Sequence, residues 1–501
     1  MASRGKKLAL NTITSLSLQL ITAVSGFILP RLILGRFGSD VNGLVNSIAQ
    51  FLGVITLLDL GVGAVVESSL YKPLAENDND GISKIYVSAN KFFRRLALIF
   101  VVYVVALIFV YPMITDRGFS FLYTATLIGA MCISSFAQYY FGIVNSLLLG
   151  AHQKGYIKCS IQIIAVIINT IACAILIKLG GSIQIVKLTT SLIFMARPLF
   201  LYFYVKRNYN INKKIKFEDE PIKQKWNGMA QHFASYVLSG TDSIVLTIFS
   251  SLANVSIYSV YSLVVNGVFM IITSLSNGFY SYFGEIYAKN EKERLENDFK
   301  FFEWLIHNFS VLIFGCAIIL MTDFVTVYTR GIDDANYIQP VFALVLSLAY
   351  FMRSTRLPYN FLILAAGHYK QTQSCYIIAM LLNIVISVLS VKAFGLVGIA
   401  VGTLIAMAYQ TVWMAIYDYK NLVILPKTRL IKQLAVDILI LLVGIICTFK
   451  IPMMNTNYFS WIIKSCIVLV IWSVIICVIN FLLYREDVLK LKSIVRRKIK
   501  R

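Results

Sequence analysis

The chain has 501 residues, of which 58% are hydrophobic and 14% charged, where a soluble domain carries about 25% charged residues. Its formal net charge is +22, but the basic residues concentrate in alternate loops between apolar runs, the signature of membrane topology rather than nucleic-acid binding. The balance excludes a soluble enzyme, and no hydrophilic stretch is long enough for a separate soluble domain.

The N-terminal Met-Ala-Ser-Arg-Gly-Lys-Lys is basic and enters an apolar segment. Residues 8–34 are too long and too polar for the apolar part of a signal peptide, and no small-residue cleavage site follows, so they read as the first spanning helix. Roughly 20 apolar residues cross a bilayer. On that criterion about 14 segments follow one another: 9–34, 41–67, 96–115, 121–148, 159–179, 183–204, 229–250, 254–282, 301–321, 338–364, 373–393, 396–417, 433–450 and 459–484. With the N-terminus inside, 34 of the 46 Lys and Arg residues fall on its side. That asymmetry places both termini in the cytoplasm. The outer loops are short, the longest spanning about 322–337, which weighs against a membrane polymerase or acyltransferase built from large external loops.

The chain repeats itself. Gly-Ala-His-Gln-Lys ends at Lys154 and Ala-Gly-His-Tyr-Lys at Lys370, so that His152 and His368, and Cys159 and Cys375, are each 216 positions apart. Lys91-Phe92-Phe93 and Lys300-Phe301-Phe302 open segments 3 and 9 at an offset of 209. Segments 1–6 and 7–12 are therefore read as two parallel six-helix lobes related about an axis along the membrane normal, an arrangement found in transporters. The division is 1–222, 223–420 and 421–501, the last holding segments 13 and 14 and a basic cytoplasmic tail. The His-Lys loops themselves read as ordinary turns on the inner face.

Ionisable and amide side chains on spanning helices need a reason, because exposing them to lipid costs about 2.5 kcal/mol or more for an ion. They gather in the opening pairs of each half. Segment 1 carries Arg31 and a polar run from Asn11 to Ser25; segment 2 carries Asn46, Gln50 and Asp59; segment 7 carries His232 and Asp242; segment 8 carries Asn266. Gln138 is in segment 4, Arg197 in segment 6, and Arg353 and Arg356 are in segment 10. Single Ser, Thr and Asn residues often hydrogen-bond between helices. Arg31, Asn46, Gln50, Gln138, Asn266, Arg353 and Arg356 are candidates to line a polar cavity, and Asp59 and Asp242 to couple an ion. Arg353 and Arg356 are three apart, so they share a helix face, and guanidinium forks match phosphate oxygens. Ion pairing with Asp59 or Asp242 is the alternative. The duplication breaks its symmetry here: segment 4 offers Gln138, Tyr139 and Tyr140 opposite the two arginines.

Catalytic and cofactor motifs are absent: no Walker lysine loop, no His-Glu-x-x-His, no Gly-x-Ser-x-Gly. The eight cysteines mostly sit inside apolar runs without metal-ligand or disulfide spacing. No enzyme activity, cofactor or metal is expected.

Ala366-Gly367-His368-Tyr369-Lys370, then Asn383, then Phe394-Gly395-Leu396-Val397-Gly398-Ile399-Ala400-Val401-Gly402-Thr403, resembles the segment 11–12 signature of bacterial polysaccharide flippases, the O-antigen and capsule repeat-unit exporters. Leu58-Asp59-Leu60-Gly61-Val62-Gly63, Pro30-Arg31, Leu34-Gly35-Arg36-Phe37-Gly38 and the Asp242…Tyr258 pattern agree with it. The resemblance runs over essentially the whole chain and implies membership of the multidrug/oligosaccharidyl-lipid/polysaccharide exporter superfamily. It further implies two lobes in a V, and alternating-access movement of undecaprenyl-pyrophosphate-linked oligosaccharide across the bacterial plasma membrane. A cation-lined cavity, which Arg31, Arg353 and Arg356 would supply, is implied as well. The expected partners are the polyprenyl-pyrophosphate-linked oligosaccharide, membrane lipids, and the polymerase and glycosyltransferases of surface polysaccharide synthesis, with no nucleic acid. A lipid II flippase and a cation-coupled drug exporter of the same superfamily are the alternatives.

Overall fold

A computed structural model describes residues 4–55, 62–115, 118–215 and 229–499. The described residues form helices without a strand, as a bilayer requires of a chain that cannot leave backbone groups unpaired in lipid. Ten of these helices are long and apolar enough to cross a membrane. The chain divides into two compact units, Met1–Tyr236 with Ser251–Ser256, and Val237–Ser250 with Ile257–Arg501.

The first unit contains α1 (Arg4–Gly53), α2 (Val62–Glu76), α3 (Asn79–Thr115), α4 (Phe121–Ala137), a π-turn (Gln138–Gly142), α5 (Ile143–Ala151), α6 (Gly155–Lys178) and α7 (Ile183–Asn208). Expected segment 1 and the first part of segment 2 are one helical run, α1, broken at Gly38, whose φ of 81° and ψ of 177° only glycine adopts without strain; residues 62–67 of segment 2 open α2, and 56–61 lie outside the described residues. The polar run of α1 faces α6. Asn11 donates from Nδ2 to the Gln153 carbonyl (3.2 Å) and accepts from the Tyr156 amide at 2.6 Å. Ser25 pairs with Thr170 at 2.7 Å, and Ser15 lies against the Cys159 thiol. These contacts are helix-to-helix fastening of the kind small polar residues supply in membranes. Phe93, Phe100, Tyr111, Leu127, Leu148 and Leu201 fill the core of the unit.

The second unit contains most of α8 (Met229–Phe249) and α9 (Leu252–Ala288), then α10 (Lys292–Tyr328), α11 (Pro340–Thr355), α12 (Leu357–Ala365), α13 (Tyr369–Asn421), α14 (Lys427–Thr448), α15 (Tyr458–Leu483) and α16 (Arg485–Ile499). Expected segments 11 and 12 are joined as α13 with a break at Gly395 (φ 53°). Expected segment 10 is two helices meeting at Arg356. Pro358 lacks the N–H that would continue the ladder there. Helices α3, α9 and α10 run well beyond the apolar stretches, because hydropathy marks only the part of a helix that lipid surrounds. The basic tail is itself helical, as α16.

α15 is fastened to α10 along its length. Trp304 donates to Asn480 Oδ1 (2.6 Å), Asn480 donates to Asn308 Oδ1 (2.6 Å), the Trp461 indole reaches the Leu320 carbonyl, and Lys464 pairs with Asp323 at 2.7 Å. In the middle, the fully buried Trp472 ring occupies the space that a Cβ on Gly315 of α10 or Gly444 of α14 would need.

The duplicated loops keep the same local geometry in each unit. His152 Nδ1 meets the Tyr209 hydroxyl at 2.9 Å, and His368 Nδ1 meets the Tyr417 hydroxyl at 2.9 Å. Partial burial, Lys154 and Lys7 push the His152 pKa down. These histidines are loop struts rather than a site.

Candidate functional site

In the first unit the second half of α1, α4, the π-turn, α6 and α7 surround a cavity of about 530 Å³. Its polar lining is Ser134, Ser135, Gln138, Tyr139, Gln162 and Arg197. The π-turn is why Gln138 reaches it. Widening one turn from α- to π-type shifts the helix register, a local feature common at functional sites. Arg197 Nε and Gln162 Oε1 are buried there with no hydrogen-bond partner. A guanidinium N–H and an amide oxygen left without partners are groups that a polar ligand would satisfy. Among the described residues Arg197 is the one charged side chain in the lining.

In the second unit two polar groups stand apart from the apolar packing. Asp242 on α8 is 2% exposed and held by oxygens and nitrogen from three other helical segments. The Tyr258 hydroxyl donates to Oδ2 at 2.8 Å, the Thr403 hydroxyl to Oδ2 at 2.7 Å and Asn383 Nδ2 to Oδ1 at 3.3 Å. Asn383 Oδ1 has no partner. A carboxylate among hydroxyls and a spare amide oxygen is an oxygen-rich setting for a proton or a hard monovalent cation. The second group is cationic. The Arg353 guanidinium lies 4.5 Å from the Phe269 ring centre and 5.3 Å from that of Tyr350, a cation–π seat. The Tyr350 hydroxyl donates to Asn266 Oδ1 at 3.2 Å. Arg356 points its Nη1 toward Met407 Sδ, 3.7 Å away. Among the described residues neither arginine has a carboxylate within ion-pair distance.

An apolar groove of about 600 Å³ opens between α10 and α15, lined by Trp304, Phe309, Leu312, Ile476 and Phe481 among others.

The expected site residues thus fall in several places. Gln138 lines the first-unit cavity; Asn266 and Arg353 share one cluster of the second unit, with Arg356 three residues away against α13. Asp242 anchors the oxygen-rich group. Asn46 is occupied locally, its Nδ2 donating to the Asn42 carbonyl at 2.8 Å. Arg31 and Gln50 are partly buried on α1 and do not line the cavity. Asp59 and the side chain of His232 lie outside the described residues. Gln162 carried no distinguishing signal, one amide in an apolar helix. Arg197 was visible as a charge in a span but had no partner in sequence to mark its use. No group of three or more His, Cys, Asp or Glu side chains that could hold a metal ion occurs among the described residues.

No family model matches the chain and no curated protein matches it. Solved structures do. The lipid II flippase MurJ in an inward closed conformation superposes with a TM-score of 0.71 at 14% identity, covering 95% of this chain and 100% of that one. An inward-facing multidrug resistance MATE family transporter of the MOP superfamily gives 0.63 at 14% identity, covering 81% and 97%. The MATE multidrug transporter DinF-BH gives 0.59 at 13% identity, covering 84% and 96%. The chain is a multi-pass helical membrane protein with the fold these transporters share.

Proposed function

We propose that this protein is a flippase that moves undecaprenyl-pyrophosphate-linked oligosaccharide repeat units across the bacterial plasma membrane by alternating access, for surface polysaccharide synthesis. One observation carries the reading: the first-unit cavity is lined by hydroxyls and amides, and its one charge among the described residues is the cation Arg197, with Nε unpartnered. Hydroxyls and amides suit sugars. An arginine suits a phosphate. A cavity for cationic drugs would instead present carboxylates or an aromatic cage. Arg353 and Arg356, free of carboxylate partners among the described residues, add cationic groups in the second unit. The apolar groove between α10 and α15 offers a polyprenyl chain a protein surface continuous with lipid. Without an ATP-binding motif, the drive comes from an ion gradient, the membrane potential or consumption of the product, and Asp242 with Asn383 and Thr403 is the ion-coupling candidate.

In this reading the chain crosses the membrane fourteen times. Ten helices qualify by length and composition; the breaks at Gly38 and Gly395, the two-part span around Arg356 and α8 would supply the other four. The lobes are 1–222 and 223–420, with 421–501 appended and both termini in the cytoplasm. Glycosyltransferases and a polymerase act before and after it.

Replacing Arg197 with Ala, and in a second variant Arg353 and Arg356 together, should lower surface glycan display roughly ten- to hundredfold, as expected when a hydrogen bond to a charged group worth about 1.5–3 kcal/mol is removed. Lipid-linked glycan should accumulate in the cytoplasmic leaflet. Unchanged display at equal protein abundance in both variants would sink the proposal. The full-length coverage of MurJ favours lipid II as a second reading. The glycan that accumulates on deletion distinguishes the two: a peptide-bearing muropeptide for lipid II, a repeat unit for polysaccharide.

A further inference from the structure

Where α10, α12, α13 and α14 meet, the second unit buries ionisable groups that the transport reading leaves unused. Glu303 of α10 is fully buried and accepts at Oε1 from the Tyr359 hydroxyl (2.8 Å) and the Tyr419 hydroxyl (2.5 Å), and at Oε2 from Arg429 Nε (3.0 Å). Arg429 also donates to the Lys300 carbonyl. His307, one turn on from Glu303, has Nε2 3.3 Å from the Tyr359 hydroxyl and Nδ1 2.6 Å from Asp437 Oδ2. Gln433 donates to Asp437 Oδ1 at 3.1 Å. Asp418 of α13 is 0% exposed, lies within electrostatic reach of Glu303, and has no donor on either carboxyl oxygen. Two more buried atoms beside the group lack partners, Gln433 Oε1 and the Tyr484 hydroxyl. Asp487 of α16 faces Arg429 and Tyr484 from outside.

The protons can be placed from the hydrogen bonds. The Tyr359 hydrogen is committed to Glu303, so His307 Nε2 must be the donor to the Tyr359 oxygen. One further proton lies between His307 Nδ1 and Asp437 Oδ2, since both atoms cannot be acceptors 2.6 Å apart. The His307–Asp437 pair is then neutral overall, whichever atom carries that proton. Glu303 is ionised against Arg429, which is neutral as a pair. Three acids therefore face two bases, and the acid left over is Asp418. An ionised carboxylate buried without donors is displaced toward its neutral form.

We infer that the cluster is a proton-binding site in which Asp418 carries the exchangeable proton and Glu303–Arg429 and His307–Asp437 form the fixed, balanced surround. Ionisation of Asp418 releases one proton and leaves a charge that the site cannot hold while the four helices remain packed. Loss of the proton and loosening of α13 against α10 and α14 are thus linked, and the ligand is the proton itself. The site is separate from the Asp242 group, which uses other residues of α8, α9 and α13.

Infrared spectroscopy of the purified full chain in lipid nanodiscs tests this without any transport assay. At neutral pH the wild type should show the C=O stretch of a protonated carboxyl. Aspartate labelled with carbon-13 at the side-chain carboxyl should shift that band, and labelled glutamate should not. Asp418→Asn should remove one component of it, whatever Asp437 and Asp242 contribute, in protein that elutes and melts like wild type. Absence of an aspartate band in the unaltered chain at neutral pH overturns the assignment whatever the variant does. An aspartate band that Asp418→Asn leaves undiminished overturns it too, because the proton then belongs to another aspartate, as loss of the band in Asp437→Asn or Asp242→Asn would identify.

Discussion

Asp242 shows what one residue discloses and withholds. A lone carboxylate in an apolar segment announces itself, because an ion there must meet a partner or a cavity. Its partners were not legible: Asn383 and Thr403 stand 141 and 161 residues away and look like ordinary membrane polar residues until folding brings them to the carboxyl. The same holds for Asp418 and Glu303, which stand far apart in sequence and become buried neighbours only in the folded unit. Asp242→Asn keeps the shape but turns one acceptor into a donor facing the Tyr258 and Thr403 hydroxyls. The expected cost is about 1–3 kcal/mol of stability, the range for a buried hydrogen-bonding group left unmatched. Thermal unfolding in detergent measures it. Transport by this variant should lose its dependence on the driving-ion gradient. A variant that melts like wild type and keeps that dependence removes Asp242 from the coupling role.

Among the helices, hydropathy located the apolar stretches well and their ends poorly. Segments 5, 6, 13 and 14 match α6, α7, α14 and α15 within a few residues at most ends, because these helices extend little beyond their apolar stretches. The two longest runs, α1 and α13, break at Gly38 and Gly395, inside the gaps left between segments 1 and 2 and between segments 11 and 12; what the apolar pattern did not show is that helix continues directly on both sides of each break. The attachment of α15 to α10 was also invisible, since Trp472 read as one more aromatic in an apolar run. Its ring fills the space beside Gly315, so Gly315→Val should overpack that contact. The expected loss is about 1–3 kcal/mol, read as a lower melting temperature, with α15 becoming accessible to limited proteolysis. Unchanged melting and protection would mean that the Trp472 contact does not hold α15 in place.

For the whole molecule, the distribution of Lys and Arg predicts a topology that reporter fusions can check. An alkaline phosphatase fused after residue 501 or within 209–228 should be inactive, and one fused within loop 329–339 should be active. Activity at the C-terminus would reverse the orientation assigned from charge. The amino-acid sequence by itself determined the class of the protein, the order of its helices and the duplication that pairs its His-Lys loops. These are local or periodic properties, set by how many apolar residues follow one another and by which loops carry positive charge. Only the tertiary structure decided what each polar residue meets. Asn11, Ser15 and Ser25 of the polar run of α1 fasten that helix to α6 and the loop before it, the interhelical role small polar residues often take, with partners the sequence did not name. The cavity takes its amides from the π-turn and α6, its arginine from α7 and its serines from α4, and a buried acid–base cluster assembles from four helices. Exclusion from lipid tells a polar side chain only where it cannot be; its partner is fixed by packing between segments far apart in the chain.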